Sequence, residues 1–422
     1  MLVQVTIENF GSFRDETTIS FRALAGIAHP PGQVVDVSGV GPVLRTVAIY
    51  GANASGKTTV LKAVAWMTNL MANGVEVGAS VPSPAFKFGE VATAPTRVEA
   101  HFVDDTGQRW AYSLAIRAGL VEEEWLERVD GDTSRLVFER TRGEGKQPVV
   151  LWGPGLQLDA PRSAFYDFVA QGTRHEQPLC AELRARNAFE LDDVYRWLLF
   201  TNLEDDDPTD AFASLVAFPE YRAWAARAIG VAGSGVTGLI LDTTDAALRA
   251  AWADNSTHNY KDARRAMSAP GNRVRFQVDG GVLDWGDLSD GTIRLVEIGL
   301  ETSFFAETGA HLLDEIERSL HPALSRWVVR DWQARRDDHG AVPYGQLIFT
   351  THELHLLDQA LIGRDGVFFT EKRADGSSAA YPLTDFKRAH LDKLITDLQT
   401  SYLEGRFGAI PPIPSDINET RG

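Results

Sequence analysis

Residues 2–22 alternate between apolar and polar with a period of two: Val3, Val5 and Ile7 fall on one side, Gln4, Thr6 and Glu8 on the other. That is the spacing of a strand with one buried face. Asn9-Phe10-Gly11-Ser12-Phe13 supplies a turn, and a second strand is predicted over 18–21. The Pro- and Gly-rich segment 29–42 predicts a loop. Residues 47–50 form a short apolar run suited to a buried strand, and 58–67 change to helical spacing. Alternation returns in 97–103, 109–116 and 120–129, a predicted meander whose first turn is Asp104-Asp105-Thr106-Gly107. From about 130 the spacing is helical, in 162–170, 178–200 and 209–229, broken by Gly, Pro and the acid run 204–207, which reads as a solvated loop. Strands flank Asp279-Gly280-Gly281, a hairpin signal. A helix over 293–305, apolar strands over 310–313 and 346–350, and a helix beginning at Pro322 follow. A helix-like run over 385–402 then precedes Pro411-Pro412-Ile413-Pro414, predicted to be extended. No repeat and no sustained heptad is evident. These shifts divide the chain into an N-terminal part, 1–129, a helical insert, 130–271, a C-terminal part, 272–375, and a tail, 376–422.

The chemistry concentrates where strand gives way to helix. Gly51, Gly56, Lys57 and Thr58 satisfy G-x-x-x-x-G-K-[ST] between the 47–50 strand and the helix beginning at 58. Glycines allow the backbone to turn its N–H groups toward phosphate oxygens, and the helix N-terminus adds partial positive charge. Lys57 has the reach for the β- and γ-phosphates, and the Thr58 hydroxyl suits Mg²⁺. Leu288-Ser289-Asp290-Gly291-Thr292 opens a later helix. It reads either as an everyday Ser-Asp cap or as a second anion-binding element built from a hydroxyl and backbone amides. The strand 310–313 ends in Asp314-Glu315, and carboxylates at the end of a buried strand are costly unless they serve a purpose. In nucleotide hydrolases of this loop class the first acid holds Mg²⁺ and the second polarises water. The strand 346–350 ends in Thr351-His352, a histidine placed to hydrogen-bond a terminal phosphate. His352-Glu353-Leu354-His355 lacks the i, i+4 histidine spacing of a zinc protease.

Composition narrows the classes. With 44% hydrophobic and 23% charged residues the chain folds rather than staying disordered. One cysteine, Cys180, excludes a disulfide framework and fits a reducing cytosol. No apolar run is long enough to cross a bilayer, and the first residues enter a strand rather than a signal peptide, so a cytoplasmic location without membrane contact is expected. A formal charge of −17 argues against coating nucleic acid by bulk electrostatics.

In order, the phosphate loop, long insert, LS-D-GT, apolar-Asp-Glu, Ser319-Leu320-His321-Pro322 and strand-Thr-His resemble the ABC-class ATPase heads of the SMC and recombination-repair type. The chain is most similar to the short bacterial AAA-type ATP-binding proteins of the abortive-infection and overcoming-lysogenization group, without a nuclease domain. Ile7-Glu8-Asn9-Phe10 with Ser12-Phe13, Phe86-Lys87-Phe88, Glu124-Trp125-Leu126 and Gly405-Arg406-Phe407-Gly408 add to that likeness. The resemblance implies an α/β head with an antiparallel β-lobe and an inserted helical domain, using ATP and Mg²⁺. It implies nucleotide contacts from Gly51, Asn53, Ser55, Gly56, Lys57, Thr58 and Thr59, metal contacts from Thr58 and Asp314, and catalytic roles for Glu315 and His352. Two heads would sandwich two ATP molecules, with Lys57 and Thr58 of one facing Ser289 and Gly291 of the other. At the cellular level it implies an ATPase of anti-phage defence that controls a partner nuclease or toxin. Two departures stand out. Asp290 replaces a glycine usual in transporters and SMC heads, and no Gln is placed to ligate Mg²⁺ after the first helix, Gln108 being a poor candidate. Two alternatives are a repair or recombination ATPase that clamps DNA or RNA, with Arg184, Arg186, Arg264 and Arg265 as phosphate contacts, and an assembly scaffold that binds ATP with little turnover.

Overall fold

The computed structural model describes residues 1–89, 93–131, 133–143, 147–199, 201–203, 208–257, 259–303, 309–336, 340, 342–386 and 398–409. The acid run 204–207, the middle of the 385–402 run and the prolines around 411–414 lie outside the described residues.

The chain opens with β1 (Leu2–Glu8) and β2 (Thr17–Ser20), then β3 (Val34–Val37) and β4 (Gly41–Leu44). β5 (Thr46–Gly51) leads into α1 (Lys57–Asn73). Then come β6 (Thr96–Val103), β7 (Arg109–Arg117), β8 (Leu120–Asp130), β9 (Thr133–Thr141) and β10 (Val149–Trp152). Next follow α2 (Ala160–Gly172), α3 (Leu179–Ala185), α4 (Asp192–Leu199), β11 (Asn202–Leu203), α5 (Pro208–Ala217), α6 (Pro219–Val231), β12 (Val236–Asp242), α7 (Ala246–Ala253) and α8 (Tyr260–Met267). The last elements are β13 (Arg273–Val278), β14 (Gly281–Leu283), α9 (Asp290–Ser303), β15 (Ala310–Leu313), α10 (Pro322–Ala334), β16 (Gln346–Thr350), β17 (Val367–Lys372), β18 (Ser378–Pro382) and α11 (Leu398–Leu403).

Two sheets share α1. One is antiparallel, in the order β10-β9-β8-β7-β6-β1-β2; the other runs β11-β15-β16-β5-β17-β18, parallel except for β18. β5 is buried along its whole length, as a central parallel strand must be. Val47 and Ile49 join the core under α1 and the antiparallel sheet, with Leu61, Met67, Ile7 and Phe102. Ala48 and Tyr50 face the opposite core, with Ile298, Val329, Trp332 and Phe369. Burial on both faces holds this strand, and the loop that leaves it, in one position.

Two expectations are overturned. Segment 29–42 is not all loop: Val34–Val37 pairs with Gly41–Leu44 around a turn in which Gly39 takes φ 72°. Pro42 sits in that short two-stranded edge, where a missing N–H is tolerated. Nor is everything from 130 helical. β9 and β10 extend the antiparallel sheet, and β12 pairs with β13 and β14. The alternation in β9 is disguised because its inward residues are Phe138 and Arg140, and the buried guanidinium is accommodated by the carbonyls of Val121, Arg174 and His175.

Candidate nucleotide site

The parallel sheet delivers three strand ends to one edge. β16 lies between β5 and β15, so the phosphate loop, Thr350-Thr351-His352 and Asp314-Glu315 leave neighbouring strands on the same side. Crevices at the C-terminal ends of parallel strands are where such sheets bind ligands.

The loop needs its glycines for space. A Cβ on Gly51 would stand 2.5 Å from the Thr370 carbonyl oxygen. Gly56 takes φ 113°, and a Cβ there would lie 2.9 Å from the Ser12 hydroxyl. Ala54 sits at φ 62°, and Asn53 is exposed at the tip. Ser55 ties the loop sideways through a 2.6 Å hydroxyl bond to Thr370 on β17. Ser12, from the turn after β1, donates to Thr59 at 3.3 Å. Lys57 is buried and donates to the Gly51 and Ala52 carbonyls at 3.0 and 3.1 Å. Burial pulls its pKa down, and the charges of Glu315, Asp314 and Glu317 oppose that shift. A cationic group curled into a glycine cradle, with amides at a helix start, fits a chain of phosphates.

Thr58 donates to both Asp314 oxygens, at 3.0 and 2.9 Å, joining residues 256 positions apart. A hydroxyl beside a carboxylate is a donor set suited to Mg²⁺. Glu315 follows with φ 51° and its side chain half exposed. The His352 Nε2 lies 4.0 Å from Glu315 Oε1, and the His352 amide donates to Glu317 at 2.6 Å. Burial lowers the His352 pKa, as does the charge of Lys57; Glu317, Glu315 and Asp314 act the other way. The imidazole is therefore biased toward its neutral form.

Thus Lys57, Thr58, Asp314, Glu315 and His352 are brought together. Ser289 and Gly291 are not part of that cluster. Ser289 is exposed at the start of α9, and its hydroxyl bonds Thr292 at 2.8 Å and accepts the Thr292 amide at 3.2 Å. Gly291 packs against the loop after Glu315: a Cβ would stand 2.7 Å from the Ser319 carbonyl. Gln108 is held in its turn by bonds to Arg109, Val129 and Arg128. Among the described residues no group of three or more His, Cys, Asp or Glu is placed to hold a metal alone. A groove of about 700 Å³ along the outer face of α1, from Thr59 to Asn73, contains none of the five clustered residues.

Other residues of the site carry no motif. Thr350 bridges Asp314 and the Glu315 amide. Arg294, on α9, is 2% exposed, donates to the Asp314 carbonyl at 3.2 Å, and is lowered to about 10 by burial. Of the arginines proposed for nucleic acid, Arg184 donates to the Ala72 carbonyl and Arg186 pairs with Glu182. Among the described residues no helix is long and apolar enough to cross a membrane.

A family model described as "AAA domain, putative AbiEii toxin, Type IV TA system" matches residues 47–222 and 244–358, more than half of the chain. The SMC head domain from Thermotoga maritima is similar at 14% identity and a TM-score of 0.38, over 90% of this chain and 98% of that one. No protein of curated function matches the chain.

Proposed function

We propose, from the premise that the chain belongs to the AAA-domain family matched above, that it is an ATP-hydrolysing switch which closes head to tail with a second copy on nucleotide and reopens after hydrolysis. The observation that carries this reading is the divided site. Lys57, Thr58, Asp314, Glu315 and His352 meet at one sheet edge, while Ser289 is exposed at the start of α9 and its hydroxyl bonds Thr292 and none of those five. An exposed hydroxyl at the positive end of a helix suits an anion, and a γ-phosphate held by another subunit's loop would provide it.

In this reading Lys57 and the loop from Gly51 to Thr59, Asn53 and Ser55 included, hold the phosphates. Thr58 and Asp314 would hold Mg²⁺, a hydroxyl and a carboxylate being the oxygen donors that ion takes. When bound, the ion and the triphosphate supply the reacting anhydride and the charge that neutralises it. Glu315 takes a proton from the attacking water, and His352, neutral near pH 7, offers a ring N–H to the terminal phosphate. Ser289 and Gly291 of the partner close the far side. The family description names an AbiEii toxin of a type IV system. The toxin-system name supports a regulatory role in bacterial anti-phage defence; the reading adds a partner nuclease or toxin and a cytoplasmic location.

Glu315→Gln tests the core of this. The variant is expected to bind ATP, to lose turnover by about 100-fold or more, and to accumulate ATP-dependent dimers on a sizing column. Turnover near that of the parent chain would remove Glu315 from its role.

A further inference from the structure

Resting on the ATPase reading above, we infer that Thr350 is a positioning residue that sets both acids of the site at once, assigning one Asp314 oxygen to the fold and the other to the metal side, and fixing the turn that aims Glu315. Its hydroxyl carries a single proton. The Glu315 amide donates to Thr350 Oγ1 at 2.8 Å, so the hydroxyl acts as acceptor there and its own proton goes to Asp314 Oδ1, at 2.6 Å. The Thr350 carbonyl takes the next amide, that of Ile316, at 3.1 Å. Two successive amides of the turn after β15 are therefore held by one residue of the adjacent strand.

This allocation has a direction. Thr58 reaches both Asp314 oxygens, but only Oδ1 is also tied to Thr350. Oδ2 is the oxygen left turned to Thr58, the other expected metal ligand. Glu315 occupies the left-handed region, φ 51°, which non-glycine residues rarely adopt, and the Thr350 bond to its amide secures that geometry. Thr350 is itself fully buried and pairs with Ile49 of β5, one residue beyond the last pair of β16 with β15. Groups that orient a metal-bound carboxylate commonly matter about 10- to 100-fold in metal affinity or activity.

The test separates positioning from folding. Thr350→Val preserves shape and removes the hydroxyl; Thr350→Ala does so without branched bulk, should valine not fold; Thr350→Ser keeps the hydroxyl. Affinity for a non-hydrolysable ATP analogue is measured by calorimetry with and without Mg²⁺, alongside melting temperature and turnover against Mg²⁺ concentration. Expected is a Mg²⁺-free affinity equal to that of the parent chain for Val or Ala. The tightening by Mg²⁺ should be cut about tenfold or more, turnover should fall at least as far, and Ser should restore both. A Val or Ala variant with the parent's Mg²⁺ response, or one whose Mg²⁺-free affinity falls in step with its melting temperature, overturns the inference. Should the parent chain gain no affinity from Mg²⁺, the ATPase reading falls and this inference with it.

Discussion

His352 shows how a few neighbours set the state of one side chain. Burial and the Lys57 charge hold its pKa below the ordinary 6.5, although three carboxylates lie near. The consequence for stability has a definite sign. A histidine depressed in the folded state binds fewer protons than in the unfolded chain, so its contribution is intact above about 6.5 and is lost as pH falls through its folded value. In a two-dimensional NMR titration of the nucleotide-free protein, the His352 ring is expected to titrate below 6.5. Adding a non-hydrolysable ATP analogue should move that midpoint upward, because a terminal phosphate favours the charged ring. An unchanged midpoint would place the phosphate elsewhere. The residues read from the sequence alone are those with a local signature. The glycine loop, the paired acids and the strand-end histidine each announce themselves within a few positions. Thr350 and Arg294 do not, since each matters only through a partner brought close by the fold: Asp314 lies 36 positions from Thr350 and 20 from Arg294.

Among the elements, Glu124 on β8 binds the antiparallel sheet to α3. It is fully buried, accepts the Tyr112 hydroxyl at 3.0 Å, and takes the Leu179 and Cys180 amides at 2.6 and 2.9 Å at the start of α3. Burial raises its pKa against the pull of Arg140, also buried. Glu124→Ala would strand two amides and a hydroxyl and remove the charge that faces Arg140. The expected loss is about 3–5 kcal/mol, read as a lower urea midpoint with unchanged slope. A loss under about 1 kcal/mol, the usual surface value, would contradict this tie. The same region explains why element type was less legible than the site. An inward Arg140 gives β9 a polar-looking face, and Pro42 and Gly41 hide the β3–β4 hairpin. Where inward positions were apolar throughout, as in β1, or nearly so, as in β6, period-two alternation matched the strand within a residue or two.

For the whole molecule, the head-to-tail reading makes a quantitative demand. Lys57→Ala and Ser289→Arg should each abolish turnover, one by weakening the phosphate grip and the other by blocking the opposing loop. Mixed in equal amounts, they should recover about a quarter of the parent activity: half the dimers are then mixed, and each mixed dimer has one intact composite site out of two. No recovery on mixing would mean that both residues serve the same chain's site. The strand order gives this demand its physical basis. Adjacent strands lie about 4.8 Å apart, and β16 fixes the lateral interval between the phosphate-loop strand and the acid strand. That interval works as a ruler that nucleotide cannot stretch or compress. On the head-to-tail reading, opening and closing would then be carried by two copies meeting and parting across the sheet edge, with the spacing of the phosphate-loop and acid strands unchanged through the cycle.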